Sequence, residues 1–491
     1  MIEQIKKILF GRKRTGVSKK PSQRQVRGIY EAAWTNDENE QHWSYADNLS
    51  PNAALDPFVR ETIRNRARYE AANNGYAAGT LQNIADDLVG NGPRLQLRVP
   101  DVSTSVANRI EDVFRSWSEQ IDLVEKLRLL HLTKVRDGEA FAVMVSNPAL
   151  SSRDSVSLDL ILYEADQVRD PFDYGFDPLY ADGIRRDEFG NIVEYTFLRY
   201  HPGGPKGYMV YETMTLSADQ VIHWYTPLRP GQSRGVSALA PVLNLFAQLR
   251  RYTLATLSAA ETAAMFAGVL KTPFPVDPEV TQLDPRGMDS FQLKRNSLIT
   301  LPYGTEAQQF KPEQPTTTYP EYVKTLLNEI ARGLNVPFNV ISGNSSGYNY
   351  SSGRLDHLIY HRSIRTERTR LAQRVLRPIF SSFVEEAALL GLIPESLPPL
   401  ERWSVNWHYE PFDSIDPVKD AQALALQLQN KTVTLADVYA ERGRDWEQEL
   451  IQIARERKLM RDLGVDELSQ QEAAVSPGNG GPPDEEEDAA E

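Results

Sequence analysis

The sequence of 491 residues contains no cysteine. That excludes disulfide scaffolds, thiolate metal sites, iron–sulfur clusters and cysteine nucleophiles. No run of 18 apolar residues occurs, so no membrane span or membrane partner is expected. Met1 to Arg14 hold an apolar patch too short and too charged for a secretory signal, and the chain reads as soluble and unsecreted. Neither G-x-x-x-x-G-K-[ST] nor G-x-G-x-x-G is present, which leaves no phosphate cradle for nucleotide hydrolysis. Positive charge is in deficit. The formal net charge of −13 excludes a globally basic surface that wraps nucleic acid. The carboxylates are scattered, no catalytic pair stands out, and no cofactor is expected.

What is present is globular in kind. Hydrophobic residues at 41% and charged residues at 25% suit packed cores, enough for about three domains at ~150 residues each. The charge is uneven along the chain. Residues 1–30 carry nine Lys or Arg against Glu3, whereas the stretch from Gly464 carries nine acids and no base, leaving −12 on residues 31–463. Both ends read as disordered, either as solvated tails or as partner-binding arms.

Apolar spacing predicts helix from Asp56 to Asp87, stopped by Gly90-Asn-Gly-Pro93, then a strand over Leu95–Val99. Helices follow at Ser105–Trp117 and Val124–Arg136, and strands at Ala140–Val145, Val156–Tyr163, Ile192–Tyr200, Gly207–Glu212 and Val221–Tyr225. Residues 90–235 therefore read as a mixed, mostly antiparallel β region with helices on it. Val236–Leu270 reads as one long helix of ~50 Å at ~1.5 Å per residue. Its second half is rich in Ala, and Glu261 is the only charge between Leu254 and Leu270. Such a helix needs close neighbours, from copies in a ring or from an all-helical core. Residues 271–318 are dense in proline (Pro273, Pro275, Pro278, Pro285, Pro302, Pro312, Pro315), with Ser297–Leu301 as the clearest strand. Helix resumes at Tyr319–Leu334, and Ser342–Gly353 is a Gly/Ser/Asn/Tyr loop. A second long helix over Arg354–Leu390 should kink at Pro378. Trp403–Glu410 reads as a strand, and helices over Pro417–Asn430 and Leu435–Leu463 finish the pattern.

Little of this carries chemistry. Gly343-Asn-Ser-Ser-Gly347 matches G-x-S-x-G, with Ser345 in the nucleophile position and His201-Pro-Gly-Gly204 as a conceivable oxyanion loop. No helix is expected right after the pentapeptide and no βαβ units flank it, so a serine hydrolase stands only as an alternative. His357 and His361 have the spacing of two metal ligands on a helix, yet no Glu completes H-E-x-x-H. They read as surface or interface histidines. The helix from Arg354 to Arg377 carries seven arginines (Arg354, Arg362, Arg365, Arg368, Arg370, Arg374, Arg377) against Asp356 and Glu367. Arginine suits phosphate and equally suits ion pairing to an acidic body. Pairing is the favoured reading.

Several stretches, in their order and spacing over roughly residues 40–460, resemble the lambda-type portal proteins of tailed bacteriophages. They are Arg64-Asn-Arg-Ala-Arg-Tyr-Glu-Ala-Ala-Asn-Asn-Gly-Tyr-Ala-Ala-Gly79, Asn91-Gly-Pro-Arg-Leu-Gln96, Asp137-Gly-Glu-Ala-Phe141, Arg229-Pro-Gly-Gln-Ser-Arg-Gly235 with its continuation to Pro241, and Tyr348-Asn-Tyr-Ser-Ser-Gly-Arg354. The resemblance implies an α+β portal fold without enzymatic activity. It implies a ring, typically of twelve subunits, at one capsid vertex, assembled in the host cytoplasm and carried in the virion as the head–tail connector. Double-stranded DNA would pass through the ring in packaging and ejection. The expected partners are further copies of the chain, that DNA, a terminase, the major capsid and scaffold proteins, and head-completion or tail adaptor proteins.

The resemblance also assigns parts: a basic arm and lead-in over 1–55, a mixed α/β wing over 56–235, stem helices over 236–270 and 319–335, and a small β-containing clip over 271–318. A channel loop would cover 336–353, the long kinked helix and return to the wing 354–415, a helical crown 416–463, and an acidic tail 464–491. Asn344, Ser345, Ser346, Gly347, Tyr348, Asn349, Tyr350 and Ser351 would line the channel. Arg362, Arg365, Arg368 and Arg370 would meet phosphate or a neighbouring subunit. The remaining alternative is a monomeric helical scaffold that binds protein partners.

Overall fold

The structure, a computed structural model, describes residues 40–150, 155–170, 179–205, 212–265, 269–271, 306–308, 318–347, 349–394, 397–412, 417–442, 444 and 446–464. The chain divides into two compact units, residues 1–50 and 51–491. Of the first, the described part is an exposed turn at Glu40–Trp43 and the strand-free chain after it. The basic arm, the strands expected at 207–212 and 297–301, most of the expected clip and the acidic tail lie outside the described residues.

The second unit begins with a short helix α1 (Pro51–Ala54) and then α2 (Pro57–Asn73) and α3 (Gly75–Val89). The single helix expected over 56–87 is in fact two. Asn74 breaks it by adopting an extended backbone (φ −126°, ψ 113°), and its side chain accepts the amide of Tyr76 as the cap of α3. Strand β1 (Arg94–Arg98), helices α4 (Thr104–Gln120) and α5 (Leu123–Asp137), and strands β2 (Glu139–Ser146) and β3 (Leu158–Tyr163) follow. Next come β4 (Tyr180–Ala181), β5 (Ile184–Arg186), β6 (Ile192–Leu198), β7 (Thr213–Ser217) and β8 (Val221–Tyr225). They form two antiparallel sheets, ordered β3-β2-β8 and β4-β5-β6-β7.

Side-chain alternation along β2 explains how the sheets are buried. Ala140 and Ala142 enter the main core with Ile222 and Trp224, while Phe141 and Val143 turn to a second core with Ile184, Tyr195 and Phe197.

The long helix expected over 236–270 is shorter at both ends. Pro241 sits in a 3-10 turn, Ala240–Val242, before helix α6 (Leu243–Met265). At the far end Val269–Lys271 is strand β9, paired antiparallel with β10 (Glu306–Gln308). Helix α7 (Tyr319–Leu334) matches its periodicity and packs on α6 through Tyr252, which stacks on Tyr319 and Tyr322. Short helix α8 (Phe338–Ser342) precedes α9 (Tyr350–Leu371). The helix thus starts four residues earlier than Arg354, because the Asn349 side chain accepts the Ser352 amide and caps it.

Pro378 interrupts that helix, as its missing amide requires. The interruption is a π turn, Ala372–Leu376, placed just before helix α10 (Arg377–Leu389). Strand β11 (Ser404–His408) returns to pair with β1, and an aromatic cluster of Phe114, Trp117, Phe380, Phe383 and Trp407 fills the space beneath. Helices α11 (Pro417–Gln429), α12 (Leu435–Glu441) and α13 (Trp446–Asp462) close the described chain, the last two replacing one helix expected over 435–463.

Candidate functional site

The segment between α8 and α9 contains no charged side chain from Phe338 to Gly353. Pro337 opens α8, and Gly343 ends it in the left-handed conformation, φ +63°. The loop then folds on itself through short-range polar bonds. Asn344 accepts the Ser346 amide at 2.9 Å, and Ser342 Oγ accepts the Asn344 amide at 3.3 Å. Asn344, Ser345, Ser346, Gly347 and Asn349 are exposed. Tyr348 lies outside the described residues. Tyr350 and Ser351, expected in the loop, are backbone of the first turn of α9.

Among the described residues Ser345 has no histidine or carboxylate as a hydrogen-bond partner. Asn339 Nδ2 donates to Ser345 Oγ at 3.4 Å and to His357 Nε2 at 3.0 Å, so the amide stands between serine and histidine. The residues before the pentapeptide are helix α8 rather than a strand, so the strained strand-to-helix elbow of a serine hydrolase is missing. His201 is elsewhere: its Nδ1 accepts the Gly203 amide and its Nε2 lies 3.0 Å from Glu164. His361 stacks on Phe412 with ring centroids 3.7 Å apart. Burial, then His357, Arg365 and Arg368, push its pKa down to about 4. Glu164, Asp166 and His201 form a cluster that the sequence did not reveal. Arg68 already stands 2.8 Å from Asp166 and 3.1 Å from Glu164, and Arg64 lies 2.9 Å from Asp166, so arginine supplies the positive charge there.

The arginines of α9 and α10 separate into two groups. Arg368 serves the fold: it donates to the carbonyls of Asp87 and Leu88 at the end of α3 and to that of Glu410, beneath the rings of Tyr409 and Phe412. Arg354 pairs with Asp420 at 3.4 Å, and Arg370 with Glu367 at 3.1 Å. Arg362, Arg365, Arg374 and Arg377 are exposed and make no ion pair with a described residue.

Two of the stretches that carried the resemblance meet in the interior. Glu139 of the Asp137–Phe141 stretch is fully buried and accepts from Arg234 at 2.9 Å, from His223 Nε2 at 2.9 Å and from the Gly235 amide at 2.9 Å. Burial alone would raise its pKa, but Arg234 and His223 hold it well below the usual carboxylate range. Arg234 also donates to the carbonyls of Ala165, Val168 and Asp182, which ties β2 to the second sheet. The backbones touch as well: a Cβ on Gly235 would lie 2.1 Å from the Gly138 carbonyl oxygen. These glycines and charges are structural, a role the sequence alone did not assign.

Comparison with known proteins gives the family. A family model described as "Phage portal protein, lambda family" matches residues 37–368. The "Probable portal protein" of Halomonas phage phiHAP-1 is 24% identical over 441 residues, covering 82% of each chain. "Portal protein B" of Escherichia phage lambda is 22% identical over 480 residues, covering 85% of this chain and 87% of that one. Among solved structures, a chain from the neck of an empty GTA particle computed with C6 symmetry aligns with TM-score 0.45 at 14% identity, over 74% of this chain and 87% of its own.

Proposed function

The chain belongs to the lambda family of phage portal proteins, and from that membership we propose that it closes into a twelve-membered ring through which double-stranded DNA is packaged and ejected. A portal protein is a virion component at the capsid vertex, structural rather than enzymatic in kind. The observation that carries the ring is on α6. Leu254 and Leu257 stand 59% and 56% exposed on a helix whose second half is rich in Ala. Burying what remains exposed of each leucine is worth about 1–2 kcal/mol, and a heterologous contact repeated around a closed ring supplies the neighbour.

In this reading α6 and α7 are the stem, and the excursion between them is the clip that receives terminase and later the head–tail joining proteins. The pairing of β9 with β10 supports that part by closing the excursion at its base. The uncharged loop 343–349 lines the channel, where side chains that lack charge let phosphates pass without salt-dependent holding. Helices α11, α12 and α13 form the crown. Arg368 belongs to the protomer's own fold, whereas Arg362 and Arg365 are available for contacts outside it. Light scattering with negative-stain imaging tests the assembly. Twelve chains of 55.4 kDa give about 665 kDa and a ring with a central hole; a stable monomer at micromolar concentration refutes it.

A further inference from the structure

We propose that the acidic segment after Gly464 docks on the arginine face of α9 and α10 and shields that face from DNA. From Arg362 to Arg377 the exposed positions are Arg362, Arg365, Thr366, Thr369, Arg370, Gln373, Arg374 and Arg377. They recur at spacings of one turn and cross the π turn without leaving the surface. All eight side chains can donate hydrogen bonds, five are cationic, and none is a carboxylate. Like charges one turn apart destabilise a helix by ~0.2–0.5 kcal/mol per pair. Among the described residues only Glu367 relieves this, and it is shared between Arg370 and Lys134. A face made of donors alone calls for a polyanion.

The chain carries one. Nine acids and no base follow Gly464, five of them consecutive in Asp484–Asp488. Those residues lie outside the described part, so the argument rests on charge and length. Extended, residues 484–491 span ~26 Å at ~3.3 Å per residue. Arg362 to Arg377 span ~22 Å at ~1.5 Å per residue. The 19 residues between, 465–483, would reach ~24 Å if they formed a flexible chain. The docking does not depend on ring closure and holds for the segment of the same or a neighbouring copy.

The test uses the full chain with Asp484→Asn, Glu485→Gln, Glu486→Gln, Glu487→Gln and Asp488→Asn together, and in parallel a chain ending at residue 464. Binding of a short DNA duplex is followed by fluorescence anisotropy from 50 to 200 mM salt. Both variants should bind about tenfold tighter than the parent at 50 mM, with a log–log salt slope steeper by ~4 from four uncovered arginines. Adding Arg362→Gln, Arg365→Gln, Arg374→Gln and Arg377→Gln should abolish the gain. Unchanged affinity overturns the proposal, and so does a gain that survives the four glutamines, since loss of negative charge acting at long range would then suffice. If the glutamines dissociate the ring while the amide variant leaves DNA binding unchanged, the face belongs to a neighbouring subunit's body. Light scattering on the same samples reports ring assembly separately.

Discussion

Replacing Arg234 by methionine removes the guanidinium but keeps most of its volume, and the structure sets the cost. Glu139 would remain fully buried with His223 and the Gly235 amide as its remaining partners. Breaking a buried ion pair by removing one side costs about 3–5 kcal/mol. The carbonyls of Ala165, Val168 and Asp182 also lose a donor, at about 1 kcal/mol for each that finds no water. Urea unfolding followed by tryptophan fluorescence, at fixed protein concentration, should show a loss of about 4 kcal/mol or more in Arg234→Met. Trp224, buried on β8 next to His223, contributes to that signal together with the other six tryptophans. Adding Glu139→Gln should recover part of the loss, since the stranded carboxylate accounts for most of it. A loss below about 1 kcal/mol, or a double variant no more stable than Arg234→Met, would refute the assignment of Glu139 and Arg234 as a mutually dependent buried pair.

Three further outcomes are expected. Gly79→Ala should stabilise the protomer by about 0.5–1 kcal/mol, because a Cβ there meets nothing within 4 Å, whereas Gly235→Ala should cost about 2–4 kcal/mol by driving a Cβ into the Gly138 carbonyl; equal midpoints for the two variants would contradict the close backbone approach. Stability should fall on mild acidification. His131 and His223 are held below their ordinary range by burial first, so the folded protein stays neutral where the unfolded chain takes protons near pH ~6.5. That stability is present above pH ~6.5 and is lost progressively as pH falls below it. An unfolding midpoint that stays flat over this range counts against two neutral buried imidazoles. Finally, removing residues 344–347 should leave the particle mass unchanged while DNA packaging or retention drops; loss of the ring instead would make the loop an assembly element.

Local periodicity was a good guide wherever one face of an element is buried. Tyr322, Leu326, Leu327, Ile330 and Leu334 mark α7 end to end, and Val221–Tyr225 is β8 residue for residue. It failed where a single polar cap decides. Asn74 splits an otherwise continuous helical pattern, and Asn349 starts a helix inside a Tyr-Ser-Ser-Gly run whose composition reads as turn. It also could not tell which arginines point inward. Arg60 and Arg64 are buried because Asp182 and Asp166 wait more than 100 residues away, a pairing that no local window contains. The same holds for Glu139 and Arg234, whose stretches were conspicuous in sequence while their contact was not. The uncharged loop was visible as composition; its self-bonded shape depends on Ser342 and Asn344 orienting the backbone.

The pairing of β1 with β11 also sets a timetable. Gln96 and His408, bonded across that ribbon, are 312 residues apart in the chain. A ribosome working at ~5–20 residues per second needs roughly 16–60 s to cover that interval. During it β1 has no partner, and the aromatic cluster beneath lacks Phe380, Phe383 and Trp407. The protomer therefore completes this part of its core only once His408 has been made. In the proposed ring, a chain that has not yet made β11 would not present a finished subunit to its neighbours.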